Sequence, residues 1–442
     1  MSIVRTAALT ACCGLFAAVT AFSQDHWPTW RGPDRNGVST ATGLPETWSE
    51  TEGIAWKTPL PSWSGSSPIV WGDRVFVMSP SKSANDAGAS GRSRFQDPGG
   101  DSLVLFCLSK KDGSVQWQRE IGTGNTIGRK GNSTSPSPIT DGKNVWAMTG
   151  MGDLAALTMD GEVVWSTNVQ KEHGPFGLNF GYGSSPLLCG KALIVQVLHG
   201  FRTDDPSYVL AYDAASGKPL WRVERPTDGI LETPDAYNTP TLLEDGDKQQ
   251  IIVCGGGYVS AHDPANGKEI WRATGLDPDK DSYYRTIASA VAVDGMVYAP
   301  TRQRPLLAVR GGGTGDVTAT HIAWKWDQPY GTDVPTPACD GTYFYMVDDK
   351  GVATCIDAKS GAIVWGPEHT ARGPVSASPV LADGKLYITT ESGITTVLAA
   401  GPAFKVIATN TLPGEDHTLS SFAVSGHRLF LRTPSYLYCI GG

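Results

Sequence analysis

Two stretches concentrate side chains able to do chemistry: GPFGLNFGYGSSP from Gly174 and ILETPDAYNTP from Ile230. They supply the carboxylates Glu232 and Asp235 together with Phe180, Tyr182, Tyr237 and Asn238, and SYYRT from Ser282 adds Tyr284 and Arg285. A carboxylate such as Asp235 or Glu232 could take the proton of a substrate hydroxyl, with Arg285 stabilising the negative oxygen that develops. Alternatively, Arg285 and Arg372 beside aromatic rings could hold a carboxylate or a peptide, with His417 a further ligand-binding candidate. The same residue types also make ordinary hydrogen bonds and ion pairs in loops. The sequence leaves these readings open.

Other signals point away from a special site. The eight histidines stand singly with no HExxH spacing, so no metal site is expected. Asp277, Asp279 and Asp281 start like a calcium loop, but Ser282 replaces the turn glycine and Ala288 the bidentate glutamate, which leaves a solvated acidic loop. The triple glycines at Gly255 and Gly311 precede no helix and lack a following Lys-Ser/Thr, and read as turns. The serine of SSP recurs along the chain, as a unique nucleophile would not.

The elements that must position these groups are repeats. VLAYDAASGKPLWRVER from Val209 returns as VSAHDPANGKEIWRATG from Val259 and as ATCIDAKSGAIVWGPEH from Ala353. Eight openings of a polar residue, usually before proline, and an apolar alternation start at Ser66, Ser137, Ser184, Asn238, Ser289, Thr336, Ser378 and Ser420. Each unit carries two hairpin signals and therefore four short antiparallel strands. In the second turn Asp213 can bond the backbone and Gly217 can take a positive φ.

One such sheet buries too little to stand alone, so sheets must stack. Trp117, Trp165, Trp221, Trp271 and Trp365 recur on the fourth strand as wedges. Four-stranded repeats of this length predict an all-β, eight-bladed propeller. The last unit stops before its tryptophan strand, while GIAWKTPL from Gly53 carries Trp56 with no preceding strands, so the N-terminal segment should complete blade eight. Blades five and seven are degenerate, and their interfaces should be looser or differently packed. The loop of blade one between about residues 81 and 102 reads as mobile. In a propeller the residues just before each opening line the channel mouth; beside those above they include Trp63, Arg129, Asn132, Tyr283, Asp333 and Asp416.

The ends and composition bound the remainder. Residues 1–23 read as a secretory signal, 24–52 as an extension packing on the propeller, and 53–442 as the propeller itself. The chain is 40% hydrophobic and 18% charged, with no later run long enough for a membrane helix. Removing Arg5 with the leader leaves 35 basic against 44 acidic residues, a net charge of −9 that argues against a nucleic-acid partner. A secreted or periplasmic monomer is expected. Cys107, Cys355 and Cys439 stand where Ala156, Ala211 and Ala261 stand in other repeats, as small core residues; Cys339 and Cys355 could pair within one repeat.

Ala211, Asp213, Ser216, Gly217, Lys218 and Trp221 match A-x-D-x-x-[S/T]-G-K-x-x-W, and Ala261, Asp263, Gly267, Lys268 and Trp271 match it with Asn266 for serine. The chain thereby resembles the PQQ-like, quinoprotein-dehydrogenase-type propellers over nearly its whole mature length. HWPTWRGPDRNGVS from His26 is similar to the opening of secreted bacterial members. The resemblance implies one of two functions: a non-catalytic binding or scaffolding module, as in the propeller of outer-membrane barrel assembly, or a PQQ- and calcium-dependent alcohol or sugar dehydrogenase. The dehydrogenases grip their quinone with a vicinal disulfide, and the only vicinal cysteines here, Cys12 and Cys13, lie in the leader. The expectation is therefore a module without a resident cofactor, taking a protein or small molecule at the channel mouth.

Overall fold

The computed structural model describes residues 26–82, 97–245, 248–301, 305–412, 414 and 417–442. The leader, most of the blade-one loop and Asp416 fall outside the described residues. Eight four-stranded antiparallel sheets follow one another along the chain as the blades of a propeller. Blade three shows the pattern: Leu187–Cys189, Ala192–Val197, Tyr208–Asp213 and Pro219–Glu224, from axis to rim. Its two middle strands are almost wholly buried because both faces meet neighbouring blades, whereas the rim strand alternates with solvent.

The tryptophans fasten blade to blade. The indole N–H of Trp117 donates to Met159 O (2.9 Å), Trp165 to Ala214 O (2.9 Å), Trp221 to Pro264 O (3.0 Å) and Trp365 to Gly401 O (2.9 Å), each acceptor lying in the next blade's outer turn. The turn glycine sits on the ring: a Cβ at Gly217, where φ is +71°, would come within 2.6 Å of Trp165. The turn is locked by its aspartate, whose Oδ1 accepts the Ser216 amide (2.8 Å) and hydroxyl (2.7 Å). Inside its own blade each indole faces a small residue, as in the pairs Ala211–Trp221, Cys107–Trp117 and Cys355–Trp365. A larger side chain there would displace the ring. Cys339 and Cys355 are both free and buried.

Ring closure uses the same contact. Ile54–Pro59 pairs antiparallel with Tyr436–Ile440, setting Trp56 opposite Cys439, and Trp56 donates to Lys110 O of blade one (3.1 Å). The degenerate blades are packed differently rather than loosely. Beside blade five, Gly315–Asp316 adds a parallel strand to blade four next to Trp271, which is fully buried and donates to Gln250 Oε1 (2.9 Å). Trp324, absent from the sequence-predicted docking set, donates to Ala358 O (3.0 Å). Blade seven has Ala408 opposite Val397 where a tryptophan would stand, and Trp48 of the N-terminal extension packs there against Tyr387 and Phe422.

A second fastening runs round the axis. The backbone N–H of each opening Ser or Thr donates to the hydroxyl of the next blade's equivalent: Ser67 to Ser137, Ser137 to Ser185, Ser185 to Thr239, Thr239 to Ser289, Ser289 to Thr336, Thr336 to Ser378, Ser378 to Ser421, and Ser421 back to Ser67, all at 2.9 to 3.0 Å. The proline that usually follows holds this residue extended and has no N–H to compete.

The extension crosses the axis on one face. His26 and Trp27 pair with blade one, Thr140 N of blade two donates to Pro28 O (3.1 Å), and Val38–Ser39 pairs in parallel with blade seven. Between them the buried Arg31 donates to Pro379 O (2.8 Å) and Pro337 O (2.7 Å), and Trp30 lines the lower part of the channel. Burial pulls the Arg31 pKa down to about 9, which leaves it charged at neutral pH and bound to the two carbonyl dipoles.

Trp221→Ala should destabilise the chain by about 3 to 5 kcal/mol. Gly267→Ala, whose Cβ would collide with the Trp221 ring, should act at the same contact, so the double variant should lose much less than the sum of the singles. Thermal and denaturant melts measure this. An unshifted transition for Trp221→Ala, or strictly additive losses, would contradict the docking role.

Candidate functional site

Strand alternation carries the inner lining upward from the hydroxyl ring. Two residues before each hydroxyl stand Gly65, Ser135, Gly183, Tyr237, Ile287, Val334, Ser376 and Leu419, and these form the next tier of the channel wall. Tyr237, Ile287, Val334 and Leu419 make it apolar on several sides. Above this tier lies a mouth cavity of about 310 Å³, with Arg129, Lys130, Phe180, Arg285, Asp333 and Asp349 in its wall. Below it the neck, of about 160 Å³, is ringed by the eight hydroxyls. The channel has a charged mouth, an apolar middle and a hydroxyl-lined neck with Trp30 in its wall.

A small hairpin reaches over the mouth. Ile127–Gly128 pairs with Gly131–Asn132, and the tip residues Arg129 and Lys130 point to different sides. Lys130 Nζ meets Glu391 Oε1 at 2.6 Å, and its carbonyl lies 3.2 Å from His417 Nε2. Arg129, held at a φ of +54°, places its guanidinium 5.3 Å from the Phe180 ring. Gly128 packs against the Phe180 carbonyl so closely that no Cβ could fit.

Phe180 is held by the two carboxylates from behind. Asp235 Oδ2 accepts the Asn179 amide (2.7 Å) and the Tyr237 hydroxyl (3.2 Å), while its Oδ1 accepts the Phe201 amide (3.1 Å). The Phe180 amide donates to the Tyr237 oxygen (3.1 Å). Glu232 accepts from Asn179 Nδ2 (3.0 Å) and pairs with Arg285 Nη1 at 3.2 Å, with both side chains buried. The Arg285 guanidinium in turn stands 5.3 Å from the Phe180 ring.

The sequence-predicted residues thus divide. Phe180, Tyr182, Tyr237 and Arg285 line the mouth cavity, and Asn238 lines the neck. Glu232 and Asp235, read from the sequence as candidate bases, lie one layer behind the wall with their oxygens engaged by protein donors. Tyr284 is buried in the core shared by blades four and five, and Arg372 is exposed outside the cavity. His417 is buried beside Trp63 and near Glu391. Lys130, Asp349 and the other members of the apolar tier, Ile287, Val334 and Leu419, were missed, although the tier members could have been found by counting back two residues from each hydroxyl of the ring.

A quinone with its calcium ion needs carboxylates turned into the cavity to hold the metal and accept a proton. Glu232 and Asp235 are turned away, and among the described residues no group of three or more His, Cys, Asp or Glu could hold a metal. Glu232 and Asp235, the candidate bases, are therefore not placed to serve a metal-bound quinone.

Burial pushes the Asp235 carboxyl up to about 6, against the pull of its N–H and O–H donors. The folded chain then binds a proton more tightly than the unfolded chain, so this group costs stability as pH rises through about 4 to 6. Melting temperatures of wild type and Asp235→Asn should diverge across that window, wild type losing ground as pH rises. Parallel curves from pH 4 to 7 would contradict it.

No curated protein matches the sequence. Among solved structures, the chain is similar to a europium-containing methanol dehydrogenase at a TM-score of 0.69 and 13% identity, over 95% of this chain and 98% of that one. The quinohemoprotein alcohol dehydrogenase of Comamonas testosteroni gives 0.64 and 13%, over 95% and 81%. BamB of Moraxella catarrhalis gives 0.58 and 14%, over 87% and 98%. At these identities the likeness is one of fold alone. The family model described as outer membrane protein assembly factor BamB matches residues 38–175, 181–366 and 313–402. With that match added to the docking repeat and the eight closed blades, the chain belongs to the PQQ-like β-propeller family.

Proposed function

We propose that this chain is an exported, non-catalytic binding propeller that takes a small molecule, or a protruding group of a protein partner, at its channel mouth. The observation that carries the reading is the lined cavity at the channel mouth. A cavity of about 310 Å³ opens at the mouth, its wall includes Phe180 with two guanidiniums against the ring, and it continues into the hydroxyl-lined neck that Trp30 also lines. A scaffold of stacked blades holds this wall rigid, as a binding site requires.

Glu232 and Asp235, the candidate bases, are spent on positioning Phe180. Their removal from the wall favours binding over proton abstraction, because a base must reach the proton that it takes. Export is supported by the leader pattern and by membership of the family, and no helix of the described residues is long and apolar enough to cross a membrane. A protein partner is supported by Ile230, Leu231 and Tyr283, apolar side chains more than half exposed on the connectors beside the mouth.

The purified chain mixed with PQQ and calcium, then passed through a desalting column, should retain no quinone absorbance and reduce no dye with alcohols. Its melting temperature should not rise with added quinone, since a ligand bound to the folded state alone would raise it. Retained quinone together with alcohol-dependent dye reduction would overturn the proposal in favour of a dehydrogenase.

A further inference from the structure

We propose that the channel selects a small monocarboxylate with an apolar body, the carboxylate lying between Arg129 and Arg285 and the body descending into the apolar tier. The proposal rests on the binding reading above and adds the ligand's chemical class.

The two arginines differ in a way that suits a ligand. Arg285 is 6% exposed and belongs to the fixed wall. It spends Nη1 on Glu232, and its buried Nε makes no hydrogen bond with any described residue. The side chain also lines the cavity, where its positive charge favours an anion beside it. Arg129 rides on the hairpin tip, makes no ion pair among the described residues, and is brought to the same aromatic ring by a left-handed backbone that arginine rarely adopts. Both guanidiniums stand 5.3 Å from the centre of the Phe180 ring and line the same cavity, which gives an anion entering it two cationic partners.

The other charges facing the cavity are already engaged. Lys130 is paired with Glu391 at 2.6 Å, and Asp349 accepts the Val334 amide at 3.0 Å while burial raises its carboxyl. Asp333 also lines the cavity and disfavours a second negative group in it, which selects one carboxylate over several. Immediately below, Tyr237, Ile287, Val334 and Leu419 line both the mouth cavity and the neck. An apolar ring or branched chain buried against them gains by leaving water, whereas a polar body would not.

The test uses the full chain and three probes in calorimetry: phenylacetate, its neutral amide phenylacetamide, and the cation benzylamine. Phenylacetate should bind at least roughly tenfold more tightly than either of the others, as expected for charge-assisted hydrogen bonds to guanidinium. Arg129→Ala should weaken phenylacetate by roughly fivefold or more with an unchanged melting temperature, because that side chain is exposed. Arg285→Met would strand the buried Glu232, so the paired variant Arg285→Met with Glu232→Gln replaces it and should abolish the preference for the acid over the amide. Acid and amide binding equally would overturn the carboxylate inference and leave the binding function standing. Binding unaffected by either arginine substitution would place the site elsewhere and overturn the inference too.

Discussion

An indole ring seated against the turn glycine of the next blade is the contact on which the rest of the molecule depends. A four-stranded sheet of this size cannot bury both faces unaided. The repeated contact fixes the angle and distance at which the next sheet covers it. The indole N–H adds direction, since it must meet one carbonyl of the neighbouring turn. That explains the joint appearance of aspartate, glycine and tryptophan in the repeat: the aspartate shapes the turn, the glycine admits the ring, and the ring belongs to the preceding blade.

The hydroxyl ring does at the axis what the indoles do at the rim. Eight N–H to hydroxyl bonds join the innermost strands in a closed circuit, and each uses a backbone donor that the axis would otherwise leave unpaired. The recurring serine is therefore structural. Its hydroxyl also faces the neck, so one residue both locks the blades and makes the lower end of the channel polar. The extension crosses that end, with Arg31 bridging the proline carbonyls of blades six and seven.

How far the sequence revealed this depended on whether a feature repeats. The docking turn, the small residue opposite the indole and the strand lent by Trp56 to blade eight were all legible, because a repeat exposes both its rule and its missing piece. Trp48 was not legible, since the substitute for blade seven's absent tryptophan comes from outside any repeat. Trp324 was passed over because blade five lost the turn around it while keeping the ring. At the mouth, the positions of Phe180 and Arg285 could be read from the connectors. The direction of Glu232 and Asp235 could not, because it is set by Asn179 and Phe201, which approach from another connector and another hairpin.

The closure contact offers the most direct test. In the ring the interface made by Trp56 is equivalent to those within the continuous chain, although its strand arrives from the opposite end of the sequence. Thermal unfolding of Trp56→Ala, followed by amide exchange in residues 436–440, should show a lowered midpoint and lost protection in that strand, comparable with removal of an internal docking tryptophan. A midpoint and exchange pattern matching wild type would contradict the account.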